Sequence, residues 1–355
     1  MRSRVKRSVA AMAGYQPGEQ PRAPGVIKLN TNENPYPPSP RVAAALAQFN
    51  AERLRLYPDP VSRELRTVIA RLHGVGAEHV FVGNGSDEIL ALATRAFVED
   101  DGAIGYFNPS YSLYPVLAAI RGVRTAAVEL GPEFEWAMPA GYDAALFLLA
   151  NPNAPTSVRY PTATVQAFCR GFGGVVLIDE AYVDFAEGDC MALAQTLDNV
   201  LVMRTLSKSY SLAGLRLGYA VGPEELVGAL FKIKDSYNVD TLAQHLAIAA
   251  LSDPAHMRAN AARIKQTRAR LAAALVALGF KVVPSEANFL WVRPAGRNAA
   301  ALCGALKGRG ILVRHFPGLR TGDCVRISVG SDVEVDRLIE VLRALCGAAG
   351  VEGQP

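Results

Sequence analysis

The sequence predicts an α/β protein in which helices cover both faces of a mostly parallel, seven-stranded sheet, with a smaller α+β domain beside it. Seven short apolar runs alternate with helical stretches, at 80–82, 103–106, 126–128, 146–149, 175–178, 200–203 and 218–221. Apolar runs without polar alternation are typical of strands that are buried on both faces. Because these strands alternate with helices, most neighbouring strands should be parallel.

The segments on either side of these strands predict an arm and a second domain. Residues 1–40 should form an extended arm, since their many prolines exclude a long helix. Residues 41–253 are the predicted large domain and residues 254–355 the predicted small domain. The small domain should contain a long helix, three strands and an amphipathic last helix, at 254–278, 289–292, 311–314, 325–329 and 333–345. We expect the arm to pack against the small domain or against a second subunit.

The composition excludes several classes of protein. The chain has 355 residues, of which 50% are apolar and 20% charged, as is typical of a compact globular protein of two domains. Its net charge of +4 gives no reason to expect nucleic acid binding. The five cysteines are scattered and lack a C-x-x-C pair, so they predict reduced thiols in a cytoplasmic protein rather than a metal site or disulfides. The sequence lacks an apolar stretch of about 18 residues, and its basic start lacks the apolar segment of a targeting signal.

One pair of segments carries the strongest chemical signal. Lys208 lies between two serines, Ser207 among them, and Arg216 follows it; upstream, Asp179 ends an apolar run and Tyr182 comes shortly after. A pyridoxal-phosphate enzyme needs a lysine that forms a Schiff base with the cofactor aldehyde and an aspartate that faces the pyridine nitrogen. It also needs hydroxyls and an arginine that bind the phosphate. The two segments together therefore predict a pyridoxal-phosphate site.

Each of these residues also has an ordinary structural interpretation. Most lysines lie on the surface, and an aspartate at a strand end can cap a helix or form a salt bridge. The neighbours of Lys208 are small, hydroxylic or apolar, which argues against an ordinary exposed face. The combination of Lys208 with Asp179 and Tyr182 favours the catalytic interpretation.

A glycine-containing turn at 83–88 predicts a second contact to a phosphate. Gly85, Ser86 and Asp87 lie where a predicted strand leads into a helix, and backbone N–H groups at such a helix start bind anions. Alternatively, Asp87 and Glu88 only complement the helix dipole. The turn lacks the G-x-x-x-x-G-K-[ST] and G-x-G-x-x-G patterns of nucleotide-binding proteins.

The order of these motifs resembles that of the fold-type-I pyridoxal-phosphate aminotransferases, and most closely the histidinol-phosphate aminotransferase family. The resemblance covers essentially the whole chain and rests on the segments at 15–18, 29–36, 57–60, 151–156, 179–182, 206–216 and 325–330. One loop departs from the family pattern Asn-Pro-x-Asn-Pro-Thr-Gly, because Ala154 and Ser157 replace its second Asn and its Gly. The contact to the cofactor's 3-oxygen is therefore expected from Asn153 or is left to Tyr182.

The resemblance implies a role for each residue around the cofactor. Lys208 would bind the cofactor covalently and carry protons, Asp179 would pair with the pyridine nitrogen, and Tyr182 would hydrogen-bond the 3-oxygen. Tyr111 would stack on the ring, although it could equally pack in the core. The cofactor phosphate would be held by Ser86, Ser207 and Arg216, and by Tyr57 of a neighbouring subunit, while Gly85 and Asp87 would lie beside Ser86 in the cofactor-binding turn. The contact from Tyr57 implies a homodimer with shared sites.

The resemblance also implies the substrates. Arg326 would hold the carboxylate of glutamate, Arg314 would contact a substrate phosphate, and Tyr15 and Asn32 would line the same pocket. The implied reaction is a ping-pong transamination between glutamate and imidazole-acetol phosphate, which yields histidinol phosphate in histidine biosynthesis. An aromatic amino-acid aminotransferase and a threonine-phosphate decarboxylase are the alternatives, because all of them share this fold. A non-catalytic protein that binds the cofactor as a signal is disfavoured by the set of residues around Lys208.

Overall fold

The structure is a computed structural model that describes residues 4–21, 23–294 and 296–347. The strands in this part of the chain are β1 (Ile27–Lys28), β2 (Val80–Asn84), β3 (Ala103–Asn108), β4 (Arg124–Glu129), β5 (Leu146–Ala150), β6 (Val175–Asp179), β7 (Val200–Thr205), β8 (Leu217–Val221), β9 (Lys281–Val282), β10 (Phe289–Arg293), β11 (Ile311–Leu312), β12 (Arg314–His315) and β13 (Val325–Ser328). The helices are α1 (Arg7–Ala11), α2 (Pro40–Gln48), α3 (Arg63–His73), α4 (Ser86–Ala96), α5 (Leu113–Arg121), α6 (Thr162–Gly171), α7 (Met191–Thr196), α8 (Glu224–Ile233), α9 (Thr241–Leu251), α10 (Pro254–Ala277), α11 (Ala299–Lys307) and α12 (Asp332–Gly347).

The largest sheet has seven strands in the order β2-β8-β7-β6-β5-β3-β4. Strands β3 to β7 pair with one another in parallel. Strand β8 is antiparallel to both β2 and β7. All seven apolar runs form strands of this sheet, so the prediction of a mostly parallel seven-stranded sheet is confirmed. The continuous apolar character of β5, β6 and β7 follows from burial on both faces, whereas the edge strand β4 is largely exposed.

Alternate side chains of the central strands enter two separate apolar clusters. Phe147 and Ile178 point into a cluster on one face of the sheet, whereas Leu148 and Leu177 point into a cluster on the other. This alternation follows from the two-residue period of a strand. Residues of helices and of the other strands complete both clusters, so the central strands are apolar on both faces.

A second, antiparallel sheet has the order β12-β13-β10-β9 and packs with α10, α11 and α12. The long helix predicted over 254–278 corresponds to α10, which begins at Pro254 with a cap from the side chain of Asp253. Proline suits the first position of a helix because that N–H has no helical partner. The predicted strand over 311–314 is divided in two, which corrects the sequence interpretation.

That division occurs because the chain changes sheets at Val313. Strand β11 pairs in parallel with β1 of the N-terminal segment, whereas β12 pairs with β13. The N-terminal segment is thus hydrogen-bonded to the C-terminal part of the chain. Among its described residues, α1 is the one α-helix before α2 begins. The domain boundaries at 40/41 and 253/254 stay predictions. The first residues of the predicted arm, 1–3, and the last residues of the predicted small domain, 348–355, lie outside the described residues.

The loops after the parallel strands meet at one edge of the seven-stranded sheet. Strand β5 ends at Ala150, β6 at Asp179 and β7 at Thr205, and the parallel pairing places all three carboxyl ends side by side. Ligands of open α/β sheets bind at this edge. Within the described residues, no helix is both apolar enough and long enough to cross a bilayer.

Replacing Leu148 by alanine should lower the free energy of unfolding by about 2–5 kcal/mol, because the change opens a cavity in the core. Leu148 is completely buried in β5. Leu319→Ala is the matched control, since Leu319 is fully exposed and its loss should change stability by no more than about 0.5 kcal/mol. Denaturant titration followed by circular dichroism measures both, and equal losses would contradict the assigned core.

Candidate active site

A cavity of about 480 Å³ lies at the carboxyl edge of the seven-stranded sheet. Its walls come from three parts of the chain: the loops after β5, β6 and β7, the N-terminal segment, and strands β12 and β13. It is lined by most of the residues predicted to form a site, namely Tyr15, Asn32, Ser86, Asp87, Tyr111, Asp179, Tyr182, Ser207, Lys208, Arg216, Arg314 and Arg326. The fold therefore brings together segments as far apart in sequence as those of Tyr15 and Arg326.

Lys208 lies in the loop that follows β7 and extends into this cavity. Its Nζ donates a hydrogen bond to the carbonyl oxygen of Thr31 at 3.2 Å. Burial, together with the positive charges of Arg326 and Arg216, lowers the pKa of Lys208 to about 8, although the negative charge of Glu33 opposes the shift. A lysine with this pKa is partly neutral near physiological pH, as a nucleophile or a proton carrier must be.

Asp179 is the last residue of β6 and is only 6% exposed. One carboxylate oxygen, Oδ2, accepts a hydrogen bond from the hydroxyl of Tyr114 at 3.0 Å, and Oδ1 accepts one from the backbone N–H of Ala181 at 3.1 Å. Burial raises the pKa of Asp179 to about 6, although both hydrogen bonds and Lys208 lower it. A buried carboxylate of this kind favours a cationic partner, such as a protonated pyridine nitrogen.

A buried ion pair fixes the strand ends next to Asp179. Glu180 is fully buried and accepts from Arg204 of β7, with Oε2 at 2.9 Å from Nε and 2.8 Å from Nη2. Arg204 also lies 3.1 Å from the carboxylate of Asp189. The negative charge of Glu180 raises the pKa of Arg204, so its guanidinium stays charged. This pair joins the carboxyl ends of β6 and β7, from which Asp179 and Lys208 extend.

The opposite end of the cavity offers donors for a phosphate. Ser86 begins α4, and its neighbour Gly85 has a φ of 76°, a conformation that favours glycine. A Cβ on Gly85 would lie 2.6 Å from Nη2 of Arg216, so only glycine leaves room for that guanidinium. The Nη1 of Arg216 lies 3.4 Å from Oγ of Ser207, and its Nη2 lies 3.6 Å from the carboxylate of Asp87. These contacts are long, and the half-exposed guanidinium remains accessible to an anion.

Tyr182 is held by a residue of the N-terminal segment. Its hydroxyl accepts a hydrogen bond from Nδ2 of Asn32 at 3.0 Å. The side chain of Asn32 is bonded in turn to Ser328, whose Oγ donates to Oδ1 at 2.9 Å. Asn32 therefore connects β13 to Tyr182 and fixes the position of the phenol at the cavity wall.

Asn153 does not line the cavity, and its position does not support the predicted contact with the cofactor's 3-oxygen. Its Nδ2 donates to the carbonyl of Pro109 at 3.0 Å and to Oγ1 of Thr156 at 2.9 Å, while its Oδ1 accepts from Ser110 at 2.7 Å. The amide is buried and fully used in joining two loops. One of these loops carries Tyr111, so Asn153 supports the wall of the cavity through that loop.

Tyr111 forms part of an aromatic wall. Its ring makes edge contacts with Tyr15, at a centroid distance of 5.9 Å, and with Tyr114 at 5.6 Å. Its hydroxyl donates to Oδ1 of Asp87 at 3.3 Å. The predicted stacking of Tyr111 on a cofactor ring stays a prediction.

Two arginines face each other on the wall opposite the sheet. Arg314 and Arg326 are register partners on the antiparallel strands β12 and β13. Arg326 donates from Nη2 to the carbonyl of Asn30 at 2.9 Å, but its buried Nε has no hydrogen-bond partner among the described residues. Arg314 donates to the carbonyls of Gln16 at 2.8 Å and Pro17 at 3.1 Å.

Tyr57 lies outside this cavity and is 80% exposed. Its ring stacks on Tyr237 at a centroid distance of 4.3 Å. Within one chain it does not contribute to the cavity, so its predicted contact with a cofactor in a neighbouring subunit stays a prediction.

Sequence reasoning missed three residues that the structure places at the site. Tyr114, Glu180 and Arg204 were not singled out, although Glu180 directly follows Asp179. Their partners lie far away in sequence: Tyr114 is 65 residues from Asp179, and Arg204 is 24 residues from Glu180. The parallel alignment of β6 and β7 makes Glu180 and Arg204 neighbours, and the packing of α5 on the sheet brings Tyr114 to Asp179. No local sequence pattern indicates either contact.

The cavity fits pyridoxal phosphate on its own geometry. Lys208 supplies an amine. Asp179 supplies an anion with no cationic partner in direct contact among the described residues, and Ser86, Ser207 and Arg216 supply donors at the other end. Within the described residues, no cluster of three or more His, Cys, Asp or Glu side chains is suited to a metal ion.

Comparison with known proteins agrees with this geometry. The family model for aminotransferase class I and II matches residues 24–342. The chain is 47% identical over 343 residues to histidinol-phosphate aminotransferase 1 of Bradyrhizobium diazoefficiens, covering 95% of this chain and 97% of the relative. It is 44% identical over 343 residues to the histidinol-phosphate aminotransferase of Citrifermentans bemidjiense, covering 96% and 98%. The crystal structure of histidinol-phosphate aminotransferase from Sinorhizobium meliloti in complex with pyridoxal-5'-phosphate aligns with a TM-score of 0.86 at 26% identity, covering 97% of this chain and 99% of that one.

The protein freed of cofactor should capture pyridoxal phosphate covalently at Lys208, and the rate should rise as the pH rises through about 8, because only the neutral amine attacks an aldehyde. Borohydride reduction followed by peptide mass spectrometry locates the adduct. Lys208→Ala should abolish it, whereas Lys281→Ala, which removes an exposed lysine paired with Glu133, should leave it unchanged. An adduct that persists in Lys208→Ala would contradict the assignment.

Proposed function

The chain belongs to the class I and II aminotransferase family, and from that premise we propose that it transfers an amino group between glutamate and imidazole-acetol phosphate, forming histidinol phosphate for histidine biosynthesis. Pyridoxal phosphate, when bound, supplies an electron sink that stabilises negative charge on the substrate Cα. The protein's own residues bind and orient the reactants, exclude water and move the proton.

The pairing of Arg314 with Arg326 is the observation that carries this proposal. Like charges directly opposite each other on neighbouring strands destabilise a sheet, and here both side chains line the cavity. Anions in the cavity would remove this repulsion. Glutamate has two carboxylates, and histidinol phosphate has a phosphate, so each proposed substrate brings negative charge to this wall. The unpartnered Nε of Arg326 is a donor available to such an anion.

The remaining residues divide the work of the proposed reaction. Lys208, with a pKa near 8, takes and returns the proton at the substrate Cα. Asp179 and Tyr182 orient the cofactor ring, and the donors around Ser207 and Arg216 hold its phosphate. Holding the reacting groups in one geometry converts an encounter in solution into a step within a single complex.

A second candidate function is transamination of aromatic amino acids. The observation that favours it is the aromatic lining of the cavity, to which Tyr15, Tyr111, Tyr182 and Phe316 contribute. These rings could pack equally well against imidazole or phenyl groups. Decarboxylation of threonine phosphate would also use two anionic contacts, but it would release carbon dioxide and would not need a second keto acid.

We further propose a homodimer and a cytoplasmic location. Leu54, Leu56, Tyr57 and Tyr237 are exposed apolar side chains, and a group of this kind often marks a protein interface. All five cysteines are free thiols, as expected for a protein in a reducing compartment.

Adding histidinol phosphate to the cofactor-loaded enzyme should rapidly remove its visible absorbance, and 2-oxoglutarate should restore it, because the two half-reactions are separate steps. Stopped-flow absorbance measures both. Phenylalanine is the control substrate and should react at least about tenfold more slowly, because it offers no phosphate to Arg314. Loss of absorbance with phenylalanine but not with histidinol phosphate would replace the proposed substrate with an aromatic one.

Mixing the variants Lys208→Ala and Tyr57→Ala should restore activity if Tyr57 completes the site of a neighbouring subunit. A mixed dimer contains one site with both native residues, so an equal mixture should reach about a quarter of the wild-type activity when subunits exchange freely. The same mixture with Leu319→Ala in place of Tyr57→Ala is the control for subunit exchange alone, because Leu319 is fully exposed. Activity no higher than the mean of the separate variants would contradict the shared site.

A further inference from the structure

Tyr114 contacts the buried carboxylate from a helix that the proposed mechanism does not otherwise use. It lies on α5, and its side chain is completely buried. Its hydroxyl donates to Oδ2 of Asp179 at 3.0 Å, and this is the hydroxyl's one hydrogen bond among the described residues. A buried hydroxyl with a single partner keeps its hydrogen bond to that partner, because an unpaired buried hydroxyl would destabilise the folded protein.

The ring of Tyr114 has little freedom to move away from Asp179. It makes a tilted contact with Tyr106 at a centroid distance of 6.2 Å and an edge contact with Tyr111 at 5.6 Å. Apolar residues of the sheet and of α4, such as Leu90 and Leu148, belong to the same cluster. Close packing in a core holds side chains in one rotamer, so the phenol is a fixed donor.

The surroundings of Asp179 make this donor important. Besides Tyr114, the ionisable groups that face the carboxylate are Asp87 of α4, which disfavours its charge, and Lys208, which favours it. Tyr111 and Tyr182 lie close to the Tyr114 phenol and are neutral. The backbone N–H of Ala181 is the second direct donor to the carboxylate. Of the two direct donors, Tyr114 is the one that a side-chain substitution can remove.

We propose that Tyr114 is a positioning residue that holds the Asp179 carboxylate in place and keeps it ionised, so that it pairs with the protonated pyridine nitrogen of the cofactor. This inference rests on the proposed pyridoxal-phosphate site. Hydrogen bonds to the charged form of an acid lower its pKa. Without the Tyr114 hydroxyl, burial would raise the pKa of Asp179 above its value of about 6 and towards neutrality.

The test is the affinity of the cofactor-free protein for pyridoxal phosphate as a function of pH. Tyr114→Phe removes one oxygen atom and keeps the ring. The cofactor should then bind about tenfold to hundredfold more weakly, which is the effect of one hydrogen bond to a charged group. The ratio of the two dissociation constants should be larger near pH 7 than near about pH 9, because ionisation of Asp179 in the variant would require a higher pH. Titration of the free cofactor in solution is common to both proteins and cancels in this ratio.

Tyr160→Phe is the matched control. Tyr160 is also buried, and its hydroxyl donates to the backbone carbonyl of Phe134 at 3.3 Å rather than to an ionisable group. Its removal should leave the affinity and its pH dependence unchanged. An equal and pH-independent loss in both variants would overturn the proposal, because it would indicate a general effect on packing.

A double-mutant cycle with Asp179→Asn separates positioning from folding. In the Asp179→Asn background there is no charge to hold, so Tyr114→Phe should have less than about a threefold additional effect on affinity. If Tyr114→Phe weakened cofactor binding by the same factor in the Asp179→Asn protein as in the wild type, the inference would be overturned. Failure of the wild-type protein to bind pyridoxal phosphate would instead reject the proposed cofactor site, and the two failures are thereby distinct.

Discussion

The burial of the Asp179 carboxylate is the constraint on which the rest of the site depends. A buried negative charge persists only where donors or cations compensate for lost hydration. The fold meets this requirement from three directions: the Tyr114 hydroxyl from α5, the Ala181 N–H from the following loop, and the charge of Lys208 across the cavity. The carboxylate retains a raised pKa, so it still favours a direct cationic partner. Binding a protonated pyridine nitrogen would satisfy that preference.

The same cavity also concentrates positive charge, and its distribution explains how one pocket can serve a cofactor and two substrates. Arg216 lies at the phosphate end beside Ser207, whereas Arg314 and Arg326 lie together on the opposite wall. Asp179 lies in the floor, at the end of β6. Because opposite charges are separated in this way, an elongated ligand with anions at its ends and a cationic ring nitrogen has one favourable orientation.

The N-terminal segment is part of the site, and this connects the two regions of the chain. It pairs with β11 through β1, contacts Tyr182 through Asn32, and accepts hydrogen bonds from Arg314 through Gln16 and Pro17. The N-terminal segment therefore connects Arg314, a proposed substrate contact, to Tyr182, a proposed cofactor contact. A shift of β12 or β13 would change the position of Tyr182 as well as that of the two arginines.

The sequence by itself determined the seven strands of the sheet, the long helix that begins at Pro254, and the meeting of Lys208, Asp179, Tyr182 and Arg216 at one cavity, because apolar periodicity and local motifs carry that information. It did not determine the break at Val313, the withdrawal of Asn153 from the cavity, or the support given by Tyr114 and by the pair of Glu180 with Arg204. Only the tertiary structure decided these. Each of these features depends on strand register or on hydrogen bonds between loops, and both join residues that are far apart in sequence. Burial then decides which polar groups remain free to bind a ligand.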